Sequence, residues 1–416
     1  MARTAADNRD AGGIRRRPRD RKAQIARAAA EAFSELGYHG VSMETIASRV
    51  GISAAALYRH YSSKYELFRG AVLNLGQQLV DGTAEIDAIA GTDDEDPQQE
   101  LDRLASALIG IAMANRASGG LYRWEARYLH DEDQALLIDQ LRTVHHRIHR
   151  PLMVLRPELT VRQRSTVSTA VLSVIGSIVD HRAKLPAAQV HMVLSQLVRK
   201  VLTAELPEMP PQPAPTDDTR RVDSSKYEAL LTESLRLFNL EGYRDTTMDD
   251  IASAVGIPTS AIYKYFSGKS DILAAAFRRA SDRLSAELSA VMATVSVPEE
   301  SLAAVIDAYV TRSFDQPELE NVYYSERLNL TAADQRILRD LQRSTVESWV
   351  ELVVSVRPEW TAAQARFAVH AAMSLVIDIG RLVHYSNAHE ARATVERLVD
   401  LTLLGRYRLR TTLPVK

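Results

Sequence analysis

The side chains best suited to chemistry in this 416-residue chain are basic and hydroxyl groups that occur twice in the same order. Tyr58, Arg59 and His60 are followed by Lys64. At a constant offset of 205 residues the chain repeats this set as Tyr263, Lys264, Tyr265 and Lys269. Ammonium, guanidinium, imidazole and phenol groups all donate hydrogen bonds to phosphate oxygens. The spacing therefore indicates two similar phosphate-binding surfaces in one chain.

These residues belong to a long internal repeat. Thirteen residues of the segment 37–67 recur without a gap at the same offset: Gly37, Tyr38, Met43, Ile46, Ala47, Ser48, Val50, Gly51, Ile52, Ala56, Tyr58, Ser62 and Lys64. Later matches have an offset of 201, pairing Tyr122 with Tyr323, Glu125 with Glu326 and Arg156 with Arg357. Because each copy is as long as an ordinary domain, the pattern indicates duplication of a whole domain.

Composition limits the possible classes of function. The chain is 46% hydrophobic and 25% charged and has no cysteine, which excludes disulfides, thiolate catalysis and cysteine-ligated zinc. No apolar run approaches the roughly 20 residues that span a bilayer, and the Arg-rich start lacks the apolar core of a signal peptide. We therefore expect a soluble cytoplasmic protein.

Apolar residues recur at helical spacing through most of the chain, as at Ile25, Ala29 and Phe33, whereas the alternation typical of strands is rare. This predicts an all-α protein. Prolines mark the join between the copies, at Pro207, Pro210, Pro211, Pro213 and Pro215, and predict a semi-extended linker over residues 206–224.

Glycines and capping residues divide the start of each copy into short helices. Gly37 ends the first helix, Ser42 stands at the N-cap of the next, and Gly51 marks a second tight turn. Gly242, Thr247 and Gly256 occupy the same places in the second copy. Two helices joined by a tight glycine turn form the helix-turn-helix pattern.

The helix after this turn has the composition needed to read DNA. Its start must be slim to enter the major groove, and its rear must be apolar, as Leu57 and Ile262 are. The slim residues are Ser53, Ala54 and Ala55 in the first copy and Pro258, Thr259 and Ser260 in the second. Lys64 and Lys269 begin the next helix, where an ammonium and free amides can meet a phosphate. We predict that the slim residues and these two lysines contact DNA. The prediction also includes Ser42, Thr247, Tyr58, Arg59, His60, Tyr263, Lys264 and Tyr265.

Charge differs between the copies. Residues 1–66 contain 12 Lys and Arg against 7 Asp and Glu, a net charge of +5, whereas residues 220–272 contain 7 against 8, a net charge of −1. The excess lies in a basic run that includes Arg16, Arg17, Arg19 and Lys22. We expect residues 1–19 to form a disordered arm, which is either a solvated tail or a contact to phosphates and an adjacent minor groove.

Through these motifs the chain resembles the TetR family of transcriptional repressors. The resemblance rests on Gly-Tyr-x-x-x-Ser/Thr-Met-x-x-Ile-Ala-x-x-Val-Gly-Ile followed by Leu-Tyr-Arg-His-Tyr-x-x-Lys, which the second copy matches through residues 262–269. These motifs cover about a quarter of the chain. The tandem arrangement is also similar to that of double TetR-type regulators of actinobacteria, one of which governs a mammalian-cell-entry lipid-import operon.

The resemblance implies heads over residues 20–66 and 225–271 and effector-binding and dimerisation domains over residues 67–205 and 272–410. It also implies a four-helix interface, which we place at residues 161–184 with 187–205 and 361–384 with 390–406. Since both halves of that interface lie in one chain, we expect an intramolecular pseudo-dimer. The chain would act as a monomer, although pairing of two chains on DNA remains open.

Several other residues could line a cavity or bind a ligand. Our candidates for effector contacts are the aromatic residues Trp124, Tyr128, Tyr323 and Tyr324. The alternative is that they are ordinary core residues. Asp180-His181 and Asp378 with His384 could also line a pocket, or they could be ordinary polar residues on interface helices. His145, His146 and His149 lack accompanying carboxylates, so we predict no metal site and no cofactor.

We expect a repressor that reads a non-palindromic operator with two non-identical heads and is released by a small lipophilic effector of the lipid, steroid or acyl-CoA class. It would then control lipid or steroid uptake or catabolism genes, and one copy could have lost its pocket. Two alternatives remain: an architectural DNA-binding protein without ligand control, and a hydrolase using the helical cavity. No phosphate loop, His-Glu-x-x-His or nucleophile elbow supports an enzyme.

Overall fold

The computed structural model describes residues 18–89, 96–207, 226–386 and 389–408. The helices described in the first repeat are α1 Pro18–Gly40, α2 Met43–Val50, α3 Ala54–Tyr58, α4 Lys64–Ile89, α5 Pro97–Ala114, α6 Gly120–Trp124, α7 Asp131–Leu155, α8 Val161–Gly176 and α9 Ala187–Leu202. Those of the second are α10 Lys226–Leu240, α11 Met248–Val255, α12 Thr259–Ile262, α13 Lys269–Thr294, α14 Pro298–Asp315, α15 Pro317–Glu326, α16 Ala332–Val356, α17 Ala362–Leu382 and α18 His389–Leu403.

The predicted all-α class is confirmed, because the described part of the chain contains helices and no strand. Short 3-10 turns at Ala126–Tyr128, Ser177–Val179 and Arg327–Asn329 interrupt the series. None of the described helices is both long and apolar enough to cross a membrane. Arg16 and Arg17 lie outside the described residues, as do most of the linker and the side chain of Arg19.

The two repeats share one hydrophobic core. A single cluster of buried side chains contains Val167, Val171 and Val174 of α8 together with Ala368, Leu375 and other residues of α17. Helices α8 and α9 pack against α17 and α18, as the predicted four-helix interface requires. Capping boxes begin α8 at Thr160 and α17 at Thr361. The two repeats therefore pack against each other within one chain through these four helices.

Each head has a core of its own. In the first repeat this core includes Phe33, Ile46, Leu57 and Phe68, which are all fully buried. The second head buries Phe238, Ile251 and Ile262 in the same way. We call the part of each repeat that follows its head the body. The long helices α4 and α13 begin in the heads and continue into the bodies, so each head is attached to its body by a continuous helix.

Candidate functional site

In each head, the helix that follows the tight glycine turn is called the reading helix: α3 in the first head and α12 in the second. In the first head, side-chain caps hold this helix and the one before it. Ser42 Oγ accepts a hydrogen bond of 3.1 Å from the Thr45 amide and begins α2, as expected from the sequence. Gly51 ends α2 with φ of 68°, in the left-handed region that favours glycine. Ser53 Oγ then accepts from the Ala56 amide at 3.2 Å and begins α3. Ser42 and Ser53 thus satisfy helix amides in the structure, while both side chains stay exposed.

The second head has the same backbone but different chemistry. Thr247 caps α11 with Asp250 in a capping box, and Gly256 ends the helix with φ of 71°. Helix α12 begins after Pro258, which has no side chain to cap it. Thr259 instead donates its hydroxyl hydrogen bond to Asp249, the first-turn carboxylate of α11. The start of the second reading helix is therefore held by an acidic side chain.

The reading helices expose the residues that the sequence identified. Ser53, Ala55, Tyr58, Arg59 and His60 are exposed in the first head, and Ala54 is partly exposed. Pro258, Ser260, Tyr263, Lys264 and Tyr265 are exposed in the second head, and Thr259 is partly exposed. Behind them, Leu57 and Ile262 are completely buried. The exposed surfaces of α3 and α12 thus share one backbone arrangement and carry different hydrogen-bond donors.

The two heads also differ in charge within the described residues. Residues 21–66 carry six Lys and Arg against four Asp and Glu, and residues 226–272 carry five against seven. The net charges are thus +2 and −2. The first head therefore has the more positive electrostatic field, which is the sign that attracts polyanions. Lys22 adds to this surface, since it is exposed and its Nζ lies 5.6 Å from the Tyr61 ring centre.

Lys64 and Lys269 direct their ammonium groups toward backbone carbonyls of their own heads. Lys64 Nζ donates to the Tyr38 carbonyl at 3.1 Å. Lys269 Nζ donates to the carbonyls of Tyr243, Arg244 and Thr246 at 2.6, 3.0 and 2.6 Å, which occupies all three of its donors. Burial lowers the pKa of both lysines. In the structure both lysines therefore bind the backbone that follows the positive-φ glycines Gly37 and Gly242.

A cluster of charged residues connects heads and bodies. Glu125 accepts a hydrogen bond of 2.8 Å from the Tyr38 amide of the first head, and Glu326 accepts one of 3.5 Å from the Tyr243 amide of the second. Burial raises the pKa of Glu125, while the Tyr38 amide and Arg127 oppose this rise. Sequence reasoning used the repeated Tyr-x-x-Glu only to align the copies, although its recurrence was the signal for this role.

An apolar cavity of about 310 Å³ lies among the middle helices of the first repeat. Its lining includes Leu75, Leu108, Leu172 and Ile175, and one wall is polar. There Arg123 Nη2 lies 2.9 Å from Asp378 Oδ2 of the second repeat and 3.5 Å from Asp180 Oδ2. Burial opposes the charge of Arg123, yet the two carboxylates raise its pKa overall. The sequence analysis did not identify Arg123.

The four aromatic effector candidates separate in the structure. Trp124 lines the apolar cavity, stacks on Tyr324 at 4.5 Å between ring centres and donates to Asp180 Oδ1 at 2.6 Å. Tyr323 and Tyr324 line a smaller cavity in the second repeat. Both also line, with Asp180 and His181, a polar cleft of about 700 Å³ between the repeats. Tyr128 packs instead on the first head, where its ring lies 5.5 Å from that of Tyr38.

The histidine series on α7 shows no metal geometry. His145 Nε2 lies 3.3 Å from the Ser165 carbonyl, and its ring is 6.3 Å from that of His149. Within the residues that the structure describes, no three His, Asp or Glu side chains are grouped so that they could hold a metal ion.

Comparison with known proteins places one family on both heads. The family described as "Bacterial regulatory proteins, tetR family" matches residues 25–71 and again residues 230–276. The HTH-type transcriptional activator FasR of Mycolicibacterium smegmatis is 42% identical over 83 residues, which cover 19% of this chain and 38% of that protein. The biofilm operon icaADBC HTH-type negative transcriptional regulator IcaR of Staphylococcus epidermidis is 41% identical over 49 residues, 12% of this chain and 26% of that protein.

The chain thus matches less than half the length of either relative. Among solved structures, the fatty acid degradation regulator FadR from Bacillus halodurans is 20% identical, with a TM-score of 0.38 over 46% of this chain and 99% of that one. The two family matches coincide with two capped helix-turn-helix heads. Both heads therefore match the tetR family of bacterial regulatory proteins, so the chain is similar to the DNA-binding domain of that family twice, in tandem.

Proposed function

We propose that this chain is a transcriptional repressor that reads a non-palindromic operator with two different heads. The observation that carries the proposal is the difference between the exposed residues of α3 and α12 on one shared backbone geometry. Arg59 and His60 of the first head correspond to Lys264 and Tyr265 of the second. Different side chains at the same place in the groove favour different bases and phosphate contacts. A symmetric operator satisfies only one of the two surfaces.

A single chain supplies both heads in this proposal. The shared core joins α8 and α9 to α17 and α18, and this is the place at which two identical subunits would otherwise meet. Two such heads must enter successive major grooves about 34 Å apart along the duplex. We propose that one chain, acting as a pseudo-dimer in the cytoplasm, binds one operator.

Release by a small lipophilic effector is the second part of the proposal. The cavity of the first repeat has a mainly apolar lining and a volume within the usual range of ligand sites. An effector lowers DNA affinity only to the extent that it prefers a state with different head spacing. The resemblance to tandem regulators of lipid import extends the proposal to genes of lipid or steroid uptake or catabolism. A TetR-family regulator is not an enzyme, which sets aside the hydrolase alternative.

Selection of bound fragments from a random DNA pool tests this proposal. The expected product is one motif with two unlike half-sites at a fixed spacing, and the mass of the complex in solution should correspond to one chain per duplex. A palindromic motif would contradict the asymmetric reading. Binding without an enriched motif would favour an architectural DNA-binding protein.

A further inference from the structure

The two repeats differ in the space between their middle helices. The cavity of the first repeat is about 310 Å³, and the equivalent space in the second is about 100 Å³. Three residues that line the first cavity are replaced by larger ones at the matching positions: Leu108 by Tyr309, Ile111 by Arg312 and Gly119 by Glu320. These side chains fill the second cavity, so the first repeat offers about three times the room.

One buried hydroxyl group in the wall of the first cavity lacks a hydrogen-bond partner among the described residues. Ser173 is 2% exposed, and its Oγ has no hydrogen-bond partner among the described residues. Thr169 lies one turn earlier on α8 and lines the same cavity, as does Tyr122. Buried hydroxyls in native proteins are normally hydrogen-bonded, and an unpaired one lowers stability. Ser173 therefore points to a ligand oxygen that completes its hydrogen bonding.

The charges around the cavity are already balanced. Arg123 is paired with Asp180 and Asp378, and Arg381 lines the same wall with its guanidinium carbon 5.0 Å from the Trp124 ring centre. With Asp180, which contacts Arg123 without lining the cavity, two positive and two negative groups leave no net charge. An ionised ligand would place an unpaired charge in a buried site, which is costly. The wall therefore favours an uncharged ligand.

The volume limits the size of this ligand. At about 30 Å³ for each water-sized group in a liquid, the cavity has room for about ten heavy atoms. Because Asp378 and Arg381 come from α17 of the second repeat, a ligand of this size contacts both repeats at once.

We propose that each chain binds one effector molecule, in the first repeat, and that this effector is an uncharged lipophilic molecule with a hydroxyl or carbonyl oxygen bonded to Ser173 Oγ. The inference rests on the proposed function, since it names the chemical class and stoichiometry of the effector. It also assigns a sensing role to one repeat only, with the second repeat contributing Asp378 and Arg381 to the wall.

Calorimetric titration of the full chain without DNA tests the inference, with octan-1-ol and octanoate as probes of equal chain length. We expect one octan-1-ol per chain and weaker binding of octanoate. Ser173→Ala should weaken octan-1-ol binding about tenfold, which is the loss of one neutral hydrogen bond. The matched control is Ser374→Ala, which changes the corresponding buried serine of the second repeat and should leave affinity unchanged. Leu172→Phe, which narrows the first cavity, should abolish binding while the unfolding temperature is kept.

Two molecules per chain, tighter binding of octanoate, equal effects of Ser173→Ala and Ser374→Ala, or no binding of either probe would each overturn the inference. None of these results affects operator reading, because no DNA is present. Conversely, octan-1-ol binding to a chain that selects no asymmetric operator would overturn the proposed function and leave the ligand site standing.

Discussion

The Arg127 guanidinium of the first repeat donates a hydrogen bond of 2.6 Å to the Glu326 carboxylate of the second. Glu326 also accepts from the Tyr243 amide at the base of the second head. Arg127 donates further to the Ser325 carbonyl at 2.7 Å. One carboxylate thus joins the first body to the second head, and it does so across the boundary between the repeats.

Replacing Arg127 with leucine, the residue that occupies the matching position 328, should destabilise the chain. Glu326 is 2% exposed and would lose its charged partner, whereas Arg127 is 33% exposed and partly solvated. We expect a loss of about 2 kcal/mol in the free energy of unfolding, below the 3–5 kcal/mol typical of fully buried pairs. Urea unfolding measures it. Arg142→Leu, in an exposed pair with Asp139, serves as the control and should cost less than about 0.5 kcal/mol.

Lys264 and Lys269 should differ in their effects on DNA binding, although both are lysines of the second head. Lys264 is exposed on the reading surface, so Lys264→Ala should weaken binding and reduce the slope of log affinity against log salt by about 0.9. Lys269 holds three carbonyls, so Lys269→Met should lower the free energy of unfolding by about 1–3 kcal/mol instead. A salt slope that changes with Lys269 while stability stays constant would restore its role as a phosphate ligand.

Gly37 should tolerate alanine less well than Gly51. Gly51, with φ of 68° and ψ of 39°, is in the left-handed helical region, where alanine costs about 1 kcal/mol. Gly37, with φ of 72° and ψ of 164°, is in a region that is essentially restricted to glycine, where strain costs about 1–3 kcal/mol. A Cβ at Gly37 would also lie 3.2 Å from Leu328 Cδ1 of the second repeat, whereas a Cβ at Gly51 would have no atom within 4 Å. Thermal unfolding should therefore show a larger loss for Gly37→Ala. Adding Leu328→Ala should remove the part of this excess that comes from the contact, and an unchanged excess would refute the contact between the repeats.

The stacked histidines of the interface should make stability depend on pH. His181 and His370, one from each repeat, lie 4.0 Å apart between ring centres. Burial, then Arg366 and Arg116, lowers the pKa of His370 from 6.5 to about 4. The unfolded chain takes up a proton near pH 6.5 and the folded chain does not, so stability is complete above pH 6.5 and declines as the pH falls towards 4.

His370→Phe should therefore reduce the fall in the free energy of unfolding between pH 7 and pH 5. The full difference in pKa corresponds to about 3 kcal/mol, of which about 2 kcal/mol is lost by pH 5. Urea unfolding at the two pH values checks this, with the exposed His146→Phe as the control. An unchanged pH dependence in His370→Phe would show that the pair is not the titrating group.

The heads could be predicted from the sequence because their determinants are local. Ser42 and Gly51 cap and end a helix through atoms a few residues away, and the repeat showed each signal twice. The roles of Lys269 and Arg127 could not be predicted in this way. The carbonyls that hold Lys269 are brought together only by the folded turn at residues 243–246, and Arg127 corresponds to Leu328, so the repeat gave no signal for its partner.

The cavity could not be predicted from the sequence either. The aromatic residues at helical spacing were compatible with a core or a pocket, and the choice depends on how side chains of several helices fill the same space. Tyr128 packs on the first head, whereas Trp124 lines the cavity only a turn away. Asp378, from the other repeat, completes the wall beside Arg123.

The central claim is that two unlike heads in one chain read two unlike half-sites. The most direct measurement compares the affinity of the full chain for the selected composite operator with its affinities for two palindromes, each built from one half-site, at one salt concentration. We expect the chain to bind both palindromes at least tenfold more weakly than the composite operator. Equal affinity for the composite and both palindromes would contradict it.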